Sequence, residues 1–266
     1  MQSTREAFGN VAEKAAAIAE KVNNLSREER IQRGVTAYGW SPDCRCDRCG
    51  DTGETPLSRE YCGCPAGIQR KASDHEARLA AEWERRWRAA GIPRRFLGYR
   101  LETSPLNTPS DRRVIDEVRG WIAADPIATG ASLLISGSVG VGKTGLAVGA
   151  LYELHSRSTS HLSLMFSSTT ALIDALKPGG DEDALHAAQT AAVLALDDLG
   201  TTRGTEWEKD RLFAVIDARY QAMRPTVVTT NVAVMDLAAN LGDRLVSRLL
   251  EGATIVGIDG RDRRVA

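Results

Sequence analysis

The residues best suited to chemistry begin at Gly137. Gly137-Ser138-Val139-Gly140-Val141-Gly142-Lys143-Thr144 fits the G-x-x-x-x-G-K-[ST] phosphate loop. Its glycines let consecutive backbone N–H groups turn inward onto phosphate oxygens. Lys143 then reaches the β- and γ-phosphates, and the Thr144 hydroxyl ligates Mg²⁺. A helix opening at this point adds a favourable dipole for the anion. The alternative is a glycine-rich turn that carries a lysine by chance. The apolar run Leu133-Leu134-Ile135 before it and a helical stretch after it supply the context that the motif requires. The implied cofactors are ATP and Mg²⁺.

A phosphate loop needs an acid at the end of a hydrophobic strand. Val193-Leu194-Ala195-Leu196-Asp197-Asp198 supplies a Walker B motif. Asp197 is expected to hold Mg²⁺ through water, and Asp198 to orient or polarise the attacking water. Many ATPases carry Glu at the second position, so the shorter Asp points to slow hydrolysis suited to a switch. Val227-Val228-Thr229-Thr230-Asn231 is a further strand with a polar end, from which Asn231 could bond the γ-phosphate or the lytic water. By itself Asn231 reads equally as a cap or turn residue.

All five cysteines fall between positions 44 and 64, in a stretch with almost no apolar residues. Cys46-x-x-Cys49 and Cys62-x-Cys64 present four thiolates for tetrahedral Zn²⁺, with Cys44 able to replace Cys46. An odd cysteine count argues against a disulfide framework. A redox C-x-x-C is disfavoured because no thioredoxin-like βαβ pattern surrounds it.

Apolar runs at 132–136, 162–166, 193–196, 226–230 and 254–258 read as strands. Helices fit between them, for example at 143–156 and 207–223. This alternation predicts an α/β domain with a parallel sheet covered on both faces. Upstream, residues 65–90 are charged and helix-favouring, with Trp83 and Trp87 on one face, and read as a linker helix. Phe8, Val11, Ala15, Ile18, Val22 and Leu25 form one helical stripe. That stripe either packs on its own small domain or docks on another protein's helices.

The formal net charge of the 266 residues is −1, so any nucleic-acid contact has to come from local patches. Residues 68–113 hold one such local excess, eleven Lys and Arg against six Asp and Glu. It reads as a solvated face or a phosphate-backbone contact. No apolar run is long enough to span a bilayer, and the first residues lack a signal-peptide core. A cytoplasmic protein is expected.

The order of these motifs resembles the AAA+ ATPases, with Asn231 at the sensor 1 position. Gly91-Ile92-Pro93-Arg94-Arg95-Phe96, Asp197-Asp198-Leu199-Gly200, Glu206-Trp207, Ile216-Asp217-Ala218-Arg219-Tyr220 and Arg224-Pro225-Thr226 are similar to the DnaC and DnaI helicase loaders and to their transposition relative IstB. The resemblance implies an AAA+ P-loop core at 91–266 without the C-terminal helical lid or its sensor 2 arginine. It also implies a zinc-binding module at 44–66, a linker helix at 67–90 and a helical partner-binding region at 1–43. Gly242-Asp243-Arg244-Leu245-Val246-Ser247-Arg248-Leu249 looks like the loaders' arginine-finger helix. Arg248 matches the finger that reaches a neighbouring subunit's γ-phosphate, and Arg244 supports it. The implied activity is ATP-dependent loading of a DnaB-type replicative helicase, with the ATPase domains assembled as a homo-oligomer on single-stranded DNA. Residues 168–189 hold only Lys177 as a basic side chain, so the DNA-contacting residues are not identified from sequence. The alternative within the branch is an IstB-like ATPase that remodels duplex DNA for a transposase, against which the cysteine module argues. A small-molecule phosphotransferase would need an acceptor pocket or a lid with basic residues after the core, and the Asp197-Asp198, Asn231 and Arg248 set fits an ATP-driven assembly better.

Overall fold

The computed structural model of the chain describes Glu29, Cys46, Cys49 and residues 51–55, 59–106, 108–158, 162–200 and 204–263. The stripe at residues 8–25, Cys44 and the proposed partner-binding region, except Glu29, lie outside them. The chain divides into two compact units, residues 1–82 and 83–266. Helix α1 (Pro65–Ala89) contributes its residues up to 82 to the first unit and Trp83 onward to the second.

The second unit is built on five parallel strands: β1 (Leu133–Gly137), β2 (Leu164–Ser168), β3 (Val193–Asp197), β4 (Thr226–Thr230) and β5 (Thr254–Ile258). Their order across the sheet is β2-β3-β4-β1-β5. The helices are α2 (Pro109–Ala123), α3 (Pro126–Thr129), α4 (Lys143–Arg157), α5 (Thr169–Ala175), α6 (Glu182–Thr190), α7 (Glu206–Gln221), α8 (Leu237–Leu241) and α9 (Asp243–Leu250). Two of the five strands keep their sequence-read limits. β2 instead runs from Leu164 to Ser168, two residues beyond the apolar run at its C-terminal end. The polar pair Ser167 and Ser168 stays extended because Ser167 pairs with Leu196 and Ser168 with Asp197.

Strand alternation sends side chains into two cores. Leu133, Ile135, Val193, Ala195, Val227 and Val256 join α2, α4 and Trp87 in one. Leu134, Leu194, Leu196 and Val228 join α7, α8 and α9 in the other. Burial on both faces is why β1, β3 and β4 read as continuous apolar runs, whereas β2 and β5 are only partly buried. Each fully buried Leu or Val contributes on the order of 1.5–3 kcal/mol. Trp83 and Trp87 stack 6.0 Å apart, and the Trp83 ring stacks on His155 at 4.7 Å. The C-terminal end of α1 is thereby fixed to α4.

Two N-caps place helices next to the sheet. At α2, Thr108 and Asp111 form a reciprocal capping box with Pro109 in the first turn; at α7, Thr205 and Glu208 form another. The strand order puts β1 between β4 and β5, while β2 and β3 lie on the far side of β4. A crevice at the carboxyl ends of β1, β3 and β4 is where open parallel sheets receive ligands. No helix among the described residues is long and apolar enough to cross a membrane.

Candidate nucleotide site and metal centre

The carboxyl end of β1 turns through residues 138–142 directly into α4, whose first residue is Lys143. Gly140 has φ +78°, a region that L side chains rarely adopt, and a Cβ there would lie 1.9 Å from the Asp262 carboxylate. The positive φ is what favours glycine here, since the Asp262 carboxylate ends a flexible side chain. The Lys143 ammonium is folded back along the loop, donating to the carbonyls of Gly137 at 3.0 Å and Ser138 at 2.7 Å, and also to Asn231 Oδ1. Asn231, directly after β4, is therefore brought to the loop's lysine.

β3 delivers the acids. The Thr144 hydroxyl donates to both Asp197 carboxylate oxygens, at 2.9 and 3.2 Å. Burial pushes the Asp197 carboxyl above its usual range, against the hydrogen bonds of Thr229 and Thr144. Such a half-buried carboxylate beside a hydroxyl is a donor set fitted to a hard divalent cation, which takes oxygen ligands. Asp198 adopts φ +58°, strained for a non-glycine residue, at the turn where β3 ends.

Thr229 is a functional candidate that the sequence reading passed over. Its hydroxyl donates to Asp197 Oδ1 at 2.6 Å and accepts from the Asp198 backbone N–H at 3.0 Å. The next backbone bond runs from Leu199 N–H to the Thr229 carbonyl at 2.9 Å. Thr230 then donates to the Leu199 carbonyl at 2.7 Å, and Asn240 to the Gly200 carbonyl at 2.8 Å. The strained Asp198 turn is thus held from β4 and α8. A polar pair ending an apolar strand was visible in Thr229-Thr230, but not the direction in which either hydroxyl points.

A cleft of about 230 Å³ opens at these strand ends. It is lined by Gly142, Lys143, Thr144, Asp198 and Asn231 together with Arg95, Phe96, Tyr99, Pro105 and Arg263. The Tyr99 ring lies against Gly145, where a Cβ would stand 2.5 Å from it. Charged and polar groups beside two aromatic rings and two arginines suit a phosphorylated nucleoside. The segment 95–105 and Arg263 carried no local sequence signal for such a role.

Arg244 and Arg248 do not line this cleft. Both lie on α9, which packs against α7. The Arg244 guanidinium sits 4.6 Å over the Phe213 ring, and that of Arg248 4.5 Å over the Tyr220 ring. Arg248 also pairs with Asp217 at 3.2 Å. Lys177, the basic residue noted in the 168–189 stretch, is exposed and paired with Asp174 at 2.6 Å.

In the first unit, Cys46, Cys49, Cys62 and Cys64 come together, with their sulfurs all within 4.8 Å of one another. Cys46 faces Cys62 and Cys49 faces Cys64, each at 3.5 Å. A short hairpin achieves this: Cys62 N–H donates to the Gly53 carbonyl at 2.9 Å, and Glu54 bridges Tyr61 in antiparallel fashion. α1 starts at once after Cys64, and the Gly67 N–H points at the Cys64 sulfur at 3.4 Å. A side chain at Gly67 would meet the Cys62 carbonyl at 1.9 Å. The Tyr61 hydroxyl donates to Asp74 at 3.1 Å, and Arg70 pairs with Glu54 at 3.2 Å, so the hairpin is latched to the helix.

Tetrahedral zinc–thiolate bonds of about 2.3 Å imply sulfur separations of about 3.8 Å, close to those found. Burial pushes the Cys49 thiol up to about 12, opposed by a backbone N–H from Gly53 and reinforced by the neighbouring thiols. Four thiols crowded in this way fit a dication that would replace their protons.

Comparison with known proteins adds a family to this geometry. Residues 74–265 match the IstB-like ATP binding proteins. The replicative helicase loader DnaC of Escherichia coli (strain K12) is 28% identical over 165 residues, which is 60% of this chain and 64% of that protein. The chain therefore spans just under two thirds of the length of that relative. A crystal structure of the DnaC helicase loader superposes with a TM-score of 0.58 at 30% identity, covering 62% of this chain and 99% of that one. A crystal structure of DnaI gives 0.57 at 27% identity, covering 65% and 94%.

Proposed function

The chain belongs to the family of IstB-like ATP binding proteins, and from that premise we propose that it is an ATP-dependent loader of a DnaB-type replicative helicase. The observation that carries the reading is the cleft lined by Lys143, Thr144, Asp198 and Asn231, with Asp197 bonded to Thr144, in a fold similar to the DnaC helicase loader. In this reading residues 137–144 cradle the phosphates of ATP, Thr144 and Asp197 hold Mg²⁺, and Asp198 with Asn231 orients the attacking water. Hydrolysis is slow and acts as an assembly switch.

Arg248, supported by Arg244, is the arginine finger. Its absence from the cleft of its own chain and its surface position on α9 suit delivery to a neighbouring subunit. The protein then acts as a homo-oligomer on the helicase and engages single-stranded DNA. Cys46, Cys49, Cys62 and Cys64 hold a structural Zn²⁺ in a module at 44–66, linked by 67–90 to the ATPase domain at 91–266. Residues 1–43 grip the helicase. The protein works in the cytoplasm.

Pulldown of the full chain with a hexameric replicative helicase tests this reading. Binding is expected to need residues 1–66 and to survive Lys143→Ala. Failure to bind the helicase, together with ATPase activity stimulated by duplex DNA and a transposase, would establish the IstB-like reading in its place. That second reading is favoured by the family match itself. Metal analysis of the purified chain is expected to give one zinc per chain, lost on Cys49→Ser; a value well below one removes the zinc assignment.

A further inference from the structure

The segment that follows β5 is not a loose end on the nucleotide cleft. Its backbone bonds directly to the phosphate loop: Arg263 N–H donates to the Gly140 carbonyl at 3.1 Å, and the Ser138 hydroxyl reaches the Gly260 carbonyl at 3.5 Å. Asp262 occupies the space that a side chain at Gly140 would need. The Arg263 guanidinium then crosses to the other wall of the cleft. One arm donates to the Pro105 carbonyl at 3.1 Å and the other to Asp111 Oδ1 at 2.6 Å.

Asp111 is only 1% exposed and is also the capping-box acid of α2, accepting from the Thr108 N–H at 3.0 Å. Its position is therefore fixed by the helix and not by the arginine. A carboxylate so buried requires a cationic partner, and a two-armed guanidinium anchored on it is held in orientation as well as in place. The phosphate loop consequently has two attachments. One is its covalent continuation into β1 and α4. The other is a strap of residues 260–263 whose far end is tied to α2.

We propose that Arg263 is a positioning residue of the nucleotide cleft, acting through its pair with Asp111 to hold the 260–263 strap against Gly140 and so fix the phosphate loop in its anion-receiving shape. A loop that is already held pays less ordering entropy when phosphates arrive. The effect falls on binding of nucleotide di- and triphosphates alike, because the strap touches the loop and not Asp197, Asp198 or Asn231. The inference rests on reading the cleft as the ATP site.

The test uses the full chain, with fluorescence binding of mant-ATP and mant-ADP and single-turnover hydrolysis at saturating ATP. Arg263→Ala is expected to weaken both nucleotides about tenfold, about 1.4 kcal/mol. The single-turnover rate at saturation is expected to stay within about threefold of the unmodified chain. Asp111→Asn is expected to reproduce the loss, and the double variant to be no worse than either single one, as befits two ends of one contact. Lysine at 263 keeps the charge but cannot also reach Pro105, so Arg263→Lys is expected to fall between; it carries the same comparison should Arg263→Ala fail to fold. Unchanged affinity in Arg263→Ala, or a slowed chemical step with unchanged affinity, overturns the proposal. A different result, mant-ATP binding that is absent in the unmodified chain or untouched by Lys143→Ala, would overturn the reading of the cleft on which the inference stands.

Discussion

At the scale of single residues, the candidate site depends on one hydroxyl that is neither acid nor cation. Thr229 bonds Asp197 through its proton and Asp198 through its lone pair, so one side chain sets the relative position of both acids. Valine at 229 would keep the shape and remove both bonds. Thr229→Val is expected to lower kcat for ATP hydrolysis about 10- to 100-fold while nucleotide affinity changes by less than about threefold. Steady-state ATPase and mant-ATP titration separate the two quantities. A fall in affinity with kcat preserved would show that Thr229 serves the loop and not the acids.

At the scale of elements, buried polar side chains decide how helices meet the sheet. Arg219 on α7 is 1% exposed and donates four times: to the carbonyls of Ala188, Ala191 and Pro225 at 2.8, 2.7 and 2.6 Å, and to the Thr226 hydroxyl at 3.0 Å. It thereby ties α6, α7 and the amino end of β4 together, at the opposite end of that strand from the crevice. Burial pulls its guanidinium down to about 9, with Arg224 adding to the effect, which still leaves it charged at neutral pH. Methionine can fill the space but leaves the acceptors unmet. Arg219→Met is expected to destabilise the second unit by about 3 kcal/mol, read from urea denaturation, because buried acceptors lose their donors. A change below about 0.5 kcal/mol would mean that water replaces the guanidinium.

At the scale of the whole molecule, Arg248's absence from the cleft that Lys143 lines has a kinetic consequence if the site is shared. A chain with Lys143→Ala keeps its arginine, and one with Arg248→Ala keeps its phosphate loop. Each alone is expected to be inactive, by about 10³-fold or more for the arginine. Mixed together, under the proposed loader reading with a helicase present, the two are expected to regain a measurable fraction of the unmodified ATPase rate, since some contacts pair an intact loop with an intact arginine. No recovery on mixing, with both variants still bound, would place Arg248 outside the reaction.

Much of this molecule was legible along the chain. The phosphate loop, the β3 acids and the cysteine quartet are local patterns, because backbone N–H groups, a strand end and metal-binding thiols each need particular residues at fixed spacing. β1, β3 and β4 were legible because both faces are largely buried. β2 and β5 are only partly buried, and the limits of β1, β2 and β3 shifted by one or two residues, as at Ser167-Ser168. What tertiary structure alone decided was which distant groups share an atom-to-atom contact. Thr229 joins Asp197 because β3 and β4 are neighbours in the sheet, and Arg263 meets Asp111 across 152 residues of sequence. A hydroxyl or a guanidinium looks the same in any sequence. Its partner is chosen by the packing of the elements that carry it, and that packing is the sum of many weak contacts spread over the whole chain.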